Sequence, residues 1–254
     1  MSRQNQTEDH ILFYSDNISG DVIHLGQNET RHMKSVLRIK EGYEIYVTDG
    51  RGHIYRCQVD SLDRDSCVAR IVDHDEIPSP PPHLDFYIGL PDKKPFEEIM
   101  ETLVPLGACS ITPVECEYCQ SPWWERRWEK RYDRLIRKSI AAAKQSWNPN
   151  LPSLSEPIPF PQAMEKNHDI LLHADPDGTT THTMSEESLS TETRLSCFIG
   201  PPGGFSPVEK ASLTEHGALP VWLSPFRLRT EHAATVMAAA LMQACGDNNH
   251  TRDS

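Results

Sequence analysis

The stretch Glu76-Ile77-Pro78-Ser79-Pro80-Pro81-Pro82-His83 constrains this chain more than any other. Each proline fixes φ and removes a backbone donor, so neither a helix nor a central strand passes through such a run. Extended polyproline geometry is expected instead, and residues 76–83 read as a linker between two domains.

Before the linker, in residues 1–75, short alternating runs are broken by turn residues. The runs 44–48 and 53–59 flank Asp49-Gly50-Arg51-Gly52. Asp-Gly in that position predicts a hairpin, because glycine accepts the positive φ of a tight turn. A third run, 66–72, follows Asp63-Arg64-Asp65. Together they predict a small antiparallel β-barrel or sandwich. Met33, Val36 and Leu37 recur at helical spacing and Thr30 can cap, so one short helix is expected over residues 30–38, packed on the barrel.

After the linker, in residues 84–246, strands alternate with helices. The segments 84–90, 110–114, 170–174, 195–200 and 220–223 read as buried strands. A helix carrying Phe96, Ile99, Met100, Leu103 and Val104 on one face follows the first, and a long helix near 124–146 follows the second. Such alternation predicts an α/β domain with a mostly parallel sheet covered by helices on both faces. The polar residues 175–194 are expected to form an exposed excursion, and 247–254 a disordered tail.

Charge bears on the partner. Lys and Arg total 25 against 37 Asp and Glu, a net charge of −12, which argues against an obligate nucleic-acid binder unless cations are concentrated locally. They are: Arg126, Arg127, Lys130, Arg131, Arg134, Arg137, Lys138 and Lys144 face only Glu129 and Asp133. This helix face reads either as an ordinary solvated surface or as a phosphate-contacting one. Trp123 and Trp124 read either as base-stacking or as packing residues. No segment is apolar enough to span a membrane and the N-terminus lacks an apolar leader, so a cytoplasmic location is expected. The 7 cysteines are expected to be reduced thiols. Cys116-Glu117-Tyr118-Cys119 lacks the second pair a structural zinc needs, and no metal is expected.

Two segments carry chemistry. The first is Gly200-Pro201-Pro202-Gly203-Gly204-Phe205, set between a strand and a helix opened by Ser206, Pro207 and Glu209 as N-cap, first-turn proline and capping-box acid. Glycines at the carboxyl end of a strand let the backbone approach a ligand, although a plain strand-to-helix turn has the same composition. Neither a P-loop nor a GxGxxG motif is present. The second runs from Leu223 to Ala234 and places Arg227, Arg229, Thr230 and Glu231 between a buried strand and an apolar helix. Burying that cluster without partners is costly, so it lies at a surface or in a cleft; a helix start capped by Thr230 is the other reading.

These segments together with residues 31–56 (RHMKSVLRIKEGYEIYVTDGRGHIYR) and 106–114 (LGACSITPV) resemble, in order and spacing, the RsmE family of ribosomal RNA methyltransferases. The resemblance spans roughly residues 11–245. It implies a SPOUT-type α/β domain with a C-terminal trefoil knot, an exception to the rule against knots, preceded by a PUA-like RNA-binding β-barrel. It implies a homodimer that uses S-adenosylmethionine to methylate N3 of uridine 1498 in 16S ribosomal RNA of the small subunit. Residues implied to hold the cofactor are His173, Gly200, Pro201, Pro202, Gly203, Leu223, Ser224, Phe226, Leu228, Arg229, Thr230 and Ala233. Arg229 and Glu231 are the implied catalytic pair, one stabilising a uracil anion and the other accepting a proton or orienting Arg229. Arg31, Arg38, Arg127, Arg131, Arg134 and Lys138 are the expected RNA contacts. The chain departs from the family pattern at Pro202, where Glu is usual, at His232, where Thr is usual, and at Tyr118 and Asn148, where Arg is common. Those departures keep two alternatives open: a relative that binds RNA without methyl transfer, and one that methylates another uridine.

Overall fold

The computed structural model describes residues 11–120, 123–125, 128–180 and 193–250, the last six by backbone alone. The chain forms two compact units, Met1–Pro78 with Ile140–Leu151 and Ser79–Ser139 with Pro152–Ser254. The inclusion of 140–151 in the first unit was not anticipated from the linker. These residues follow no composition break, and what assigns them is contact: Lys144 donates to both carboxylate oxygens of Glu29 at 2.6 and 2.8 Å, and Leu151 N–H donates to the Gly50 carbonyl.

The first unit is built on strands β1 (Leu12–Tyr14), β2 (Ile18–Ser19), β3 (Val22–Leu25), β4 (Glu44–Thr48), β5 (His53–Leu62) and β6 (Cys67–Glu76). They hydrogen-bond in the order β1-β4-β5-β6-β3-β2, all antiparallel except β1 with β4. Phe13 of β1 and Ile23 of β3 lie far apart in that order yet share one core with Val47, Cys57 and Ala69, so the sheet is strongly coiled. Gly50 and Gly52 of the β4–β5 turn have φ of +75° and +98°, as the Asp-Gly signal requires.

The expected short helix starts earlier than predicted: α1 (Gln27–His32) runs into a π-helical turn, Met33–Leu37. Thr30 is therefore no cap. It is buried within α1, where its Oγ1 donates to the Gly26 carbonyl at 3.0 Å. The π turn rotates Val36 outward to 63 % exposure while Met33 stays fully buried.

In the second unit β7 (His83–Gly89), β8 (Ala108–Glu115), β11 (Ile170–Thr179), β12 (Arg194–Ile199) and β13 (Leu219–Val221) form a parallel sheet with the short β9 (Ser153–Leu154) and β10 (Ile158–Pro159). The order is β10-β8-β7-β12-β11-β13, with β9 also on β8. Its two faces bury separate cores, as a doubly covered sheet requires. On one face Leu84, Phe86, Ile88 and Leu172 pack against α2 (Lys93–Leu103) through Phe96, Ile99, Met100 and Leu103, and against α6 (Thr230–His250) through Ala234, Met237 and Leu241. On the other, Tyr87, Leu171 and Phe198 meet Phe160 of α4 (Phe160–Met164) and Leu213 of α5 (Pro207–Glu215). The helix α3 spans Trp128–Ser146.

Three expectations are corrected. Residues 175–179, expected in an exposed excursion, instead extend β11, and Thr179 pairs with Val221; residues 181–192 lie outside the described residues. The tail expected from residue 247 is helical as far as His250, since elongating an existing helix needs no new nucleus; residues 251–254 lie outside the described residues. Trp123 and Trp124 both pack with the core and place their indole N–H groups on the Pro91 carbonyl and Glu115, which removes both rings from a base-stacking role.

Candidate cofactor site

Parallel strands end together, and the loops at their carboxyl ends converge there. The loop after β12 is Gly200–Phe205, and Ser206 then opens α5 with a complete capping box: Ser206 Oγ accepts from Glu209 N–H, and a Glu209 carboxylate oxygen accepts from Ser206 N–H at 2.8 Å. The other Glu209 oxygen accepts from the Glu117 N–H at 2.8 Å, tying the loop to the turn after β8.

Close approach explains the glycines. A Cβ on Gly203 would lie 2.5 Å from Tyr118 Cβ, and one on Gly89, at the end of β7, would lie 2.5 Å from the Pro201 nitrogen. Neither position tolerates a side chain while the loop keeps this path.

The segment after β13 lies against this loop. Thr230 Oγ1 donates to the Gly200 carbonyl at 3.0 Å, and Arg227 Nη2 donates to the Pro202 carbonyl at 2.6 Å. Thr230 is therefore not the helix cap; its hydroxyl fastens one loop to the other, and the Arg229 carbonyl accepts the first helical bond from Ala233 N–H. Between the two loops lies a cavity of about 550 Å³.

Of the predicted cofactor residues, Gly200, Pro201, Pro202, Gly203, Leu223, Ser224, Phe226, Leu228, Thr230 and Ala233 line the cavity. His173 and Arg229 do not. His173 is 6 % exposed with Nδ1 unpartnered, and burial holds its pKa below the ordinary value. Arg229 is exposed, while Glu231 is 5 % exposed and off the cavity wall, its carbonyl accepting from Thr235 Oγ1 at 2.9 Å. Sequence reasoning missed Asp175, Lys210 and Trp222, and left Arg227 of the Leu223–Ala234 cluster off the cofactor list, although all four line the cavity. Asp175 was legible as a polar residue at the carboxyl end of a strand. Burial opposes its charge, but the Asp177 N–H and the Lys210 ammonium, 3.1 Å away, hold its carboxyl below the usual range.

The expected RNA contacts fare unevenly. Arg134 forms a bidentate pair with buried Glu97 at 2.6 and 2.9 Å, and Lys138 reaches Glu101 at 2.5 Å, so the charge of both is already matched. Arg31 pairs with Asp65 at 3.1 Å on the surface. Arg38 is exposed in the left-handed conformation and has no ion-pair partner among the described residues. The Nε of Arg131 is buried and unpartnered. Arg127 lies outside the described residues. Among the described residues no helix is long and apolar enough to cross a membrane, and no group of three His, Cys, Asp or Glu side chains converges as a metal would need.

Comparison with known proteins fits these features. A relative from Mycobacterium bovis named Ribosomal RNA small subunit methyltransferase E is 27 % identical over 91 % of this chain and 90 % of its own. A protein of the same name from Aquifex aeolicus is 29 % identical over 91 % and 98 %. The crystal structure of the Neisseria gonorrhoeae protein of that name, bound to S-adenosyl methionine, shares this fold with a TM-score of 0.82 at 23 % identity, covering 92 % of this chain and 98 % of that one. Residues 25–72 match the RNA methyltransferase PUA domain. Because residues 78–242, which hold both loops of the cavity, match the RNA methyltransferase domain, the chain belongs to that family of RNA methyltransferases.

Proposed function

We propose that this chain transfers a methyl group from S-adenosylmethionine to N3 of uridine 1498 in 16S ribosomal RNA. The observation that carries the reading is the cavity between two loops whose backbones are fastened by the Thr230–Gly200 and Arg227–Pro202 hydrogen bonds. Its volume suits a nucleoside-sized ligand. Gly200, Pro201, Gly203 and the turn from Leu223 to Leu228 offer backbone groups to adenine and ribose, which explains why Pro202 in place of an acid is compatible with binding. Asp175 and Lys210 present a carboxylate and an ammonium on the wall, suited to the zwitterionic amino-acid end of such a ligand.

When bound, S-adenosylmethionine supplies an electrophilic sulfonium methyl. The remaining work falls to the chain: orienting the base and handling the N3 proton. Arg229 is exposed beside the cavity loops and carries charge-assisted donors for the anion that develops at uracil O2 or O4. Glu231, uncommitted to any ion pair among the described residues, accepts the N3 proton directly or through water. A homodimer in the cytoplasm, a knotted C-terminal segment, and RNA contacts from Arg31, Arg38, Arg127, Arg131, Arg134 and Lys138 belong to the same reading. Arg134 and Lys138 would have to exchange their present carboxylate partners for phosphate.

The test is transfer of labelled methyl to small ribosomal subunits lacking the mark, with the modified base mapped by reverse-transcription arrest. Arrest at uridine 1498 is expected. Measurable cofactor binding with no methyl transfer to these subunits overturns the proposal. In the same assay Arg229→Ala is expected to lower turnover by about 100-fold or more while cofactor Kd stays within about twofold; unchanged turnover removes Arg229 from the chemistry.

A further inference from the structure

The pair Cys116 and Cys119 has no part in the proposed methyl transfer, yet it sits directly beneath the glycine loop. The turn after β8 is closed by Cys119 N–H on the Cys116 carbonyl at 3.1 Å, and Cys116 N–H donates to Cys119 Sγ at 3.3 Å. The Cys119 thiol donates to the Val114 carbonyl at 3.8 Å. Cys116 is buried and Cys119 half-buried. A four-residue turn keeps its end Cα atoms within about 7 Å, inside the range a disulfide spans.

Between the two sulfurs' residues stand the groups that hold the loop. Tyr118 fills the space a Gly203 side chain would take, and Glu117 N–H anchors the Glu209 carboxylate that caps α5. Any contraction of the turn is therefore passed to Gly203 and to Ser206.

We propose that Cys116 and Cys119 are a reversible oxidation site for hydroperoxides, and that closing their disulfide displaces the glycine loop and weakens ligand binding in the cavity. The proposal rests on the cofactor reading given above. The Cys119 thiolate attacks a peroxide oxygen and becomes a sulfenic acid as the O–O bond breaks; Cys116 sulfur then attacks Cys119 sulfur and water leaves. In sum two thiols and one hydrogen peroxide give one disulfide and two waters, the sulfurs losing two electrons and the peroxide oxygens gaining them. The adjacent Cys116 side chain, working against burial, holds the Cys119 thiol below its ordinary pKa, with help from the Cys116 N–H that donates to its sulfur. Cys116 is itself held above its ordinary value by the Cys119 side chain and by burial, so Cys119 supplies the attacking thiolate; burial likewise pushes Cys57 and Cys67 up to about 12 and about 11.

The experiment uses the full chain with Cys109→Ser, which removes the other half-buried described thiol. Reduced protein is titrated with S-adenosylmethionine by calorimetry, treated with hydrogen peroxide, mapped by peptide mass, titrated again, then reduced with dithiothreitol and titrated a third time. The expected result is a peptide about 2 Da lighter containing both cysteines, a Kd at least about tenfold weaker, and recovery on reduction. With Cys116→Ala added, no lighter peptide forms. A mapped disulfide that leaves Kd unchanged overturns the inference, as does a reduced protein that binds but forms no disulfide. Reduced protein that does not bind at all refutes the cofactor reading instead, and peptide mapping then still decides whether the thiol site exists.

Discussion

Glycine-to-alanine substitution around the cavity separates close approach from backbone strain, because three glycines differ in what a Cβ would meet. At Gly203 the new atom would lie 2.5 Å from Tyr118 Cβ and 3.2 Å from the Tyr118 carbonyl oxygen. Neither neighbour is the free end of a flexible chain, so the loop itself must move. Overpacking of this kind costs about 1–3 kcal/mol, which corresponds to roughly 5- to 150-fold in Kd if the ligand demands the original path. At Gly89 the new atom would lie 2.5 Å from both the ring Cδ and the nitrogen of Pro201 and 3.0 Å from the Gly200 carbonyl carbon. All three are rigid, so Gly89→Ala is expected at or beyond the upper end and also lowers Tm of the unliganded protein. At Gly204 nothing lies within 4 Å, but φ is +79°, so the penalty there is conformational, about 1–2 kcal/mol. Calorimetric Kd for S-adenosylmethionine, with Tm measured without ligand, reads the series. Gly203→Ala binding within twofold of the parent at unchanged Tm, or Gly204→Ala proving the worst of the three, refutes the reasoning.

Thr230→Val removes the hydroxyl on the Gly200 carbonyl while keeping shape, and is expected to weaken cofactor binding about fivefold, from a hydrogen bond of about 1 kcal/mol; an unchanged calorimetric Kd would show that the loops hold together without it. Arg137 is exposed and has no ion-pair partner among the described residues, so Arg137→Glu should lower the salt slope of RNA binding by about one or more, and an unmoved slope assigns this helix face to solvent. Arg134→Ala should lower Tm more at pH 7 than at pH 4: the Arg134 hydrogen bond depresses the Glu97 pKa, so the stabilisation is present above the ordinary carboxylate range and is lost as pH falls. Burial depresses the pKa of both His168 and His173, so the folded chain refuses a proton that the unfolded chain accepts below about 6.5. Denaturant midpoints should therefore fall from pH 7 to pH 5, and by less in His173→Phe; an equal fall in both proteins removes His173 from the effect.

What was legible in the sequence followed from local rules. The buried strands, the α2 face, the Asp49–Gly52 hairpin and the Ser206-Pro207-Glu209 helix start each depend on neighbours within a few residues, and each appears where spacing put it. The errors arise where a distant partner decides. Thr230 has the composition of a cap, yet its hydroxyl finds the Gly200 carbonyl thirty positions away. The outward cations of α3 read as free charge until α2 supplies Glu97 and Glu101, a pairing invisible without knowing that the two helices are adjacent. His173 occupies the strand end expected of a ligand contact, but β11 runs on past it, and the following Ala174 and Asp175 line the cavity while His173 stays buried. Tyr118 is the sharpest case. Its Cβ and carbonyl oxygen, atoms that an Arg at this position would share, occupy the space that Gly203 leaves empty. The room Gly203 must leave is therefore set by the backbone path of the turn after β8, which nothing local to the glycine loop announces.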